Sequence, residues 1–225
     1  MHPLIERALA EERNLTEPES KTLLRDYKVP VPEFYLCTSP EEAVRAAKKV
    51  GYPVVMKIVS PDILHKSDIG GVKIGMNSKE AVLTSYEEIE KAAKGRGTFS
   101  GVIIYKVQKQ GTEIIIGCTY DEQFEHAIMF GLGGIFVEVL KDVSFRLIPL
   151  TETDAHEMVK EIKAYPILKG VRGQPPRDIN SIVTTLLRVS AMVEENPEIR
   201  ELDLNPLFVY EEGLTVIDAR CIVIP

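Results

Sequence analysis

Between Tyr52 and Met76 the chain reads YPVVMKIVSPDILHKSDIGGVKIGM. One lysine, Lys57, interrupts the apolar run from Pro53 to Val59. A polar stretch with His65, Lys66, Ser67 and Asp68 follows, closed by Gly70 and Gly71 before a second apolar run begins at Val72. A lysine inside a buried strand is costly unless an anion meets its ammonium group. Adjacent glycines let backbone approach a ligand closely, and successive exposed N–H groups form a concavity for anions. Phosphate suits both features. His65 adds a group that titrates near neutral pH and can act as nucleophile or base. The alternative for the same residues is a solvated hairpin loop beside a lysine whose stem snorkels to water.

A second group lies near the C-terminus. In ELDLNPLFV, residues 201–209, the period-2 pleat puts Asp203 and Asn205 on one face and the leucines on the other. If the chain turns around Glu211 and Glu212, Asn205 comes opposite Asp218 and the three oxygen-bearing side chains converge. Hard oxygen donors, few in number and leaving room for waters and phosphate, suit Mg²⁺. A solvent-facing strand edge is the alternative, but each of these residues interrupts apolar sequence, which favours a facing site. The glycines from Gly131 to Gly134 make either a tight turn or another backbone surface for phosphate. For the second reading, Gly133, Gly134 and the downstream cation Arg146 are the candidates. Glu113 opens a strand and reads either as an acceptor for a ribose hydroxyl or as a surface carboxylate. His2, His126 and His156 find no convergent partners and read as structural or surface residues.

Capping and periodicity predict the elements that position these groups. Leu4 to Arg13 has helical spacing. Thr16-Glu17-Pro18-Glu19 reads as a capping box opening a second helix to about Lys28, ended by Pro30 and Pro32. Glu33 to Cys37 is a short strand, and Ser39-Pro40 starts a helix that runs to Val50. Asn77 is expected to cap a helix from Ser78 to Lys94. Gly101 to Gln108, Thr112 to Tyr120 and His126 to Phe130 read as antiparallel neighbours. A strand from Phe145 to Leu150, a helix from Thr151 with Asp154 as its capping pair, a loop from 166 to 176 and a helix from Arg177 to Glu195 follow. The end is strand: Ile199 to Asn205, Leu207 to Tyr210, Leu214 to Asp218 and Cys221 to Ile224.

With 44% hydrophobic and 27% charged residues over 225 positions the chain reads as an ordinary globular protein. A formal charge of -7 argues against a nucleic-acid partner. No apolar run approaches the ~20 residues of a membrane span and the N-terminus lacks signal-peptide order, so a cytoplasmic protein without membrane association is expected. Three cysteines far apart in strand-like runs read as buried free thiols. Hairpins outnumber parallel crossovers, which gives an α+β class in two lobes, with a soft boundary between Gly95 and Gly101.

Lys57, the HKSDIGGVK loop, GLGGIFVEVLKDVSFRLIPL and ELDLNPLFV together make the chain resemble the ATP-grasp proteins. More closely, it resembles the small β subunit of the NDP-forming acyl-CoA synthetases, the archaeal ADP-forming acetyl-CoA synthetase type, over essentially its whole length. The resemblance implies one ATP-grasp domain over 1–225, with an N-terminal helix and two α+β lobes of about 20–97 and 98–225 holding the nucleotide between them. It implies a separate α subunit carrying the CoA-binding and ligase portions, in an α2β2 assembly, with ATP/ADP and Mg²⁺ as cofactors. A phosphoryl group from an acyl phosphate would pass through an α-subunit histidine to His65 and then to ADP. Lys57, with Lys66, Ser67, Gly70 and Gly71, matches the nucleotide-phosphate group, and Glu113 the ribose or nucleotide carboxylate. Asn205 and Asp218 match the Mg²⁺ ligands, and Asp203 an acid that faces the incoming phosphohistidine. Where the family often carries Glu or Gln in the adenine hinge this chain has Tyr105-Lys106, which implies base contacts through backbone groups of Tyr105, Lys106 and Val107. A stand-alone carboxylate ligase working through an acyl phosphate, and a non-catalytic nucleotide-sensing subunit, are the alternatives.

Overall fold

The computed structural model of the protein describes residues 1–63, 66–171 and 173–224, without the side chains of residues 135 and 138. Two helices open the chain, α1 (Pro3–Ala10) and α2 (Glu17–Asp26). They are followed by β1 (Phe34–Cys37), α3 (Pro40–Val50), β2 (Val54–Ile58), β3 (Val72–Met76), α4 (Lys79–Ala93) and β4 (Val102–Lys106). Next come β5 (Thr112–Asp121), β6 (Glu125–Leu132), α5 (Ile135–Glu138), β7 (Val143–Leu147), α6 (Glu152–Glu161) and α7 (Tyr165–Leu168). The last elements are α8 (Ile179–Glu195), β8 (Glu201–Val209), β9 (Leu214–Val216) and β10 (Ala219–Ile222). The class is α+β, and the chain forms two compact units.

The smaller unit holds Thr16–Pro18 and Pro32–Lys109. Its antiparallel sheet has the order β1-β4-β2-β3. Ala43, Ala47, Val82, Tyr86 and Ile89 of α3 and α4 pack on Val54, Met56, Ile58, Val102 and Ile104. Val55, Val59, Ile103 and Tyr105 form a second cluster on the other parity, and Lys57 shares that parity. Ser39 caps α3 by accepting from the Glu42 amide. For α4 the cap is Ser78, which accepts from the Ala81 amide at 3.1 Å, one residue later than the expected Asn77.

The larger unit holds Met1–Leu15, Glu19–Val31 and Gln110–Pro225. Its sheet runs β10-β8-β5-β6-β7, with β9 also on β8. One face buries Ile114, Ile116, Ile128, Phe130, Leu202 and Leu204 against α6 and α8. The Thr151 and Asp154 capping box expected for α6 is present.

Strand pairing, the lobe boundaries and the loop from 166 differ from expectation. β4 and β5 are not neighbours: β4 has β1 and β2 on its two edges, and β5 has β6 and β8. The division accordingly falls after Lys109 rather than near Gly97, since β4 is internal to the first sheet. Residues 20–31 also belong to the other unit, because Leu23 and Leu24 enter its core and the Pro30 carbonyl accepts the Val216 amide at 2.9 Å. The predicted loop from 166 begins inside a short helix, α7.

Candidate functional site

In the smaller unit, Lys57 stands on β2 with its side chain only 7% exposed. The anion that meets it is Glu17. The Lys57 ammonium lies 3.1 Å from Glu17 Oε1, and Lys66 Nζ lies 2.5 Å from Glu17 Oε2, on a carboxylate side chain 1% exposed. Lys57 Nζ also sits 5.6 Å from the centroid of the Tyr105 ring, within range of a cation–π attraction. The sequence argument that a strand lysine needs an anion holds, but it did not find this one. Glu17 reads as a first-turn helix acid, and no periodicity links it to a lysine 40 residues away.

The loop closes tightly behind Lys66. The Lys66 carbonyl accepts the Gly71 amide at 2.8 Å, and the Ser67 carbonyl accepts the Gly70 amide at 3.0 Å. Gly70 has φ +72° with open space around it, whereas a Cβ on Gly71 would collide with Ile58 and the Lys66 carbonyl. Ser67 and Asp68 are exposed. His65, the expected nucleophile, lies outside the described residues. In the expected hinge, Tyr105 is buried and Lys106 exposed. The Val107 amide donates to the Pro53 carbonyl at 2.9 Å and the Lys106 carbonyl accepts Gln108 Nε2 at 2.8 Å. Those two backbone groups are thus engaged within the chain.

In the larger unit the candidates lie on the sheet face away from α6 and α8. Asn205 comes opposite Asp218 as expected. Its amide donates to the Asp218 carbonyl at 3.3 Å, between the register pairs Leu204 with Ala219 and Leu207 with Val216. Asp203 pairs instead with Arg220. Burial, reinforced by the charges of Glu201 and Asp218 and opposed by Arg220, raises its carboxyl above the usual range. A cavity of about 200 Å³ beside it is lined by Gly117, Thr119, Met129 and Phe145. Lys21, fully buried and missed in the sequence, donates to the Ile217 carbonyl at 2.9 Å, next to Asp218.

Gly133 meets Glu113 closely: its amide donates to the Glu113 carbonyl at 2.8 Å, and a Cβ on it would stand 3.0 Å from Glu113 Cβ. Gly134, at φ +61°, has open space. Arg146 turns towards α6. It shares strand parity with Ser144, whose hydroxyl bonds the Met158 carbonyl of α6, and its guanidinium lies 2.9 Å from Glu161 and 3.8 Å from Glu157 on that helix. In this structure Arg146 is thus ion-paired with α6.

Of the remaining polar candidates, His126 is buried with Nε2 2.7 Å from the Ile199 carbonyl, and His2 caps α1. Both are structural, as expected. The three cysteines are buried free thiols. Among the described residues no group of three His, Cys, Asp or Glu is placed to hold a metal. Two opposed oxygen donors, Asn205 and Asp218, nevertheless fit an ion such as Mg²⁺, which keeps several waters and phosphate oxygens in its shell.

Residues 7–223 match the ATP-grasp domain family. The β subunit of acetate–CoA ligase (ADP-forming) I from Pyrococcus furiosus is 50% identical over 223 residues, covering 98% of this chain and 96% of that one. A solved structure of dinucleotide-forming acetyl-coenzyme A synthetase 1 from Ca. Korarchaeum cryptofilum, in complex with coenzyme A, Ca-AMPCP and HgCl⁺, matches with a TM-score of 0.95 at 44% identity over 98% of both chains. Another structure of that synthetase holds coenzyme A and Mg-AMPPCP, with its phosphohistidine segment pointing towards the nucleotide binding site. It matches with a TM-score of 0.87 at 43% identity, again over 98% of both chains.

Proposed function

The chain belongs to the ATP-grasp family, among the β subunits of the ADP-forming acetate–CoA ligases, and on that premise we propose that it exchanges a phosphoryl group between a phosphohistidine and ADP/ATP. The acyl-CoA, free acid and CoA chemistry takes place on a partner α subunit, in an α2β2 assembly in the cytoplasm. The observation that carries this reading is the opposition of Asn205 and Asp218 beside half-buried Asp203, on the sheet face away from the helices.

Phosphoryl transfer asks a protein for positioning and charge neutralisation more than for covalent help. Lys57 and the amides of the turn from Lys66 to Gly71 bind the phosphate oxygens, and Glu113 accepts a ribose hydroxyl. Asn205 and Asp218 hold Mg²⁺, which neutralises phosphate charge when bound. Asp203 faces the incoming phosphohistidine of the partner. A neutral imidazole nitrogen of His65 attacks its phosphorus, so that one N–P bond forms as the N–P bond to the partner's ring breaks. An oxygen of the ADP β-phosphate then attacks the same phosphorus, the His65 N–P bond breaks, and ATP leaves with His65 neutral again. Both steps exchange energy-rich bonds, which makes the relay reversible.

The test is incubation of the protein and its His65→Ala variant with Mg²⁺ and γ-labelled ATP. Acid-labile, base-stable label on the wild type, absent from the variant and discharged by ADP, is the expected result. If neither protein takes label even with the partner subunit present, while both bind nucleotide, the relay is refuted.

A further inference from the structure

Glu17 has no part in the site as the sequence presents it, yet its carboxylate side chain is only 1% exposed where it meets Lys57. Its two oxygens are divided between two lysines of different origin. Oε1 meets Lys57, which is fixed in the middle of a sheet between β3 and β4. Oε2 meets Lys66, the first described residue after His65 and the start of the turn that ends at Gly71. That turn is anchored at its other end, where the Gly71 carbonyl accepts the Ile58 amide at 2.8 Å. One carboxylate thus fixes a strand lysine and the near end of the loop at the same point.

We propose that Glu17 is a positioning residue for phosphoryl transfer: by holding the Lys57 and Lys66 ammonium groups on its two oxygens, it sets the loop beside His65 in register with the lysine that binds phosphate. The reaction part of this inference rests on the proposed function; the tie between strand and turn does not. A carboxylate is needed because both of its oxygens accept. In Glu17→Gln one oxygen becomes an NH₂ donor facing an ammonium group, so one of the two lysines loses its bond to this side chain while side-chain volume is kept.

The experiment compares wild type, Glu17→Gln, Lys66→Met and the double variant. It reads the rate of His65 labelling at saturating Mg-ATP together with amide hydrogen exchange. Glu17→Gln is expected to label about 100-fold more slowly, the scale of loss that follows a misplacement of about 1 Å. Amides of residues 66–71 exchange faster by about tenfold while those of α4 are unchanged. The double variant labels no more slowly than Glu17→Gln, since both changes cut the same tie. Turn amides that exchange as in the wild type overturn the proposal whatever the labelling, and so does an equal acceleration in α4, which would mark a general loss of fold. If the wild type itself takes no label, the proposed function fails, and the exchange comparison still decides whether Glu17 holds the turn.

Discussion

Gly71→Ala tests how closely the turn is built against the sheet. A Cβ at this position would stand 2.7 Å from Ile58 Cγ2 and 2.9 Å from the Lys66 carbonyl oxygen, whereas carbon atoms settle at about 3.5–4.0 Å. Neither neighbour yields freely, because Ile58 is fully buried and the Lys66 carbonyl is held by the Gly71 amide at 2.8 Å. Overpacking of this kind costs about 1–3 kcal/mol. Weakening the Lys66–Gly71 bond adds about 1 kcal/mol, and the stiffer unfolded chain offsets about 0.5–1 kcal/mol. The net loss is about 2 kcal/mol, which lowers Tm by about 4–8 °C for a chain of this size. Because the Lys66 carbonyl must shift, labelling of His65 also falls by about tenfold or more. Gly95→Ala is the control. Gly95 has φ +75° and nothing within 4 Å, so an alanine there carries only left-handed strain, leaves the site untouched and labels at the wild-type rate. Scanning calorimetry and the labelling assay read both variants. Gly71→Ala with an unchanged Tm, or labelling as fast as Gly95→Ala, refutes the steric reasoning.

Two further outcomes follow from buried and capping groups. Burial pushes the Cys37, Cys118 and Cys221 thiols up to about 12. Against an ordinary value near 8.5, that makes thiolate about a thousandfold scarcer at pH 8, so iodoacetamide leaves the folded protein unmodified over minutes and alkylates all three thiols in guanidinium. A thiol that reacts within minutes in the native protein contradicts this. Asp178 caps α8, and bonds from the Ser181 hydroxyl first, then the Gly213 and Ser181 amides, hold its carboxyl below the usual range. A depressed folded value contributes stability above the ordinary aspartate value of about 4 and loses it as pH falls through the depressed one. Asp178→Ala therefore costs about 1 kcal/mol near neutral pH and reduces the acid sensitivity of Tm, and equal acid slopes for variant and wild type count against the assignment.

What the sequence made legible is what local geometry determines. The hairpin that brings Asn205 opposite Asp218 follows from a pleat of period two and one turn, and the caps at Ser39 and Thr151 follow from residue types within four positions of each other. Strand order depends on contacts that no short window contains. GVIIYKVQ and TEIIIGCTY look like the two arms of a hairpin, yet β4 fills the place between β1 and β2, and β5 the place between β6 and β8. Glu17 was hidden for the same reason: an acid in a first helical turn is expected on dipole grounds alone and gives no sign of a distant lysine.

Lys57 and Arg146 are strand cations whose surroundings differ. Each sits in an apolar run, and each invites the inference that it faces a ligand. In β2 every residue is buried, so both parities are apolar and a lone cation must be met by something inside the protein. In β7, an edge strand, the relation is reversed. Phe145 and Leu147 are each 53% exposed, whereas Ser144 and Arg146 turn towards α6. Alternation assigns the apolar parity to the core by default, but at a sheet edge the covering helix can present hydrogen-bonding and charged groups instead. The parity of a strand cation therefore becomes informative only once the helix opposite it is known, and the lysine in the central strand could be interpreted without that knowledge because burial on both faces leaves no solvated alternative.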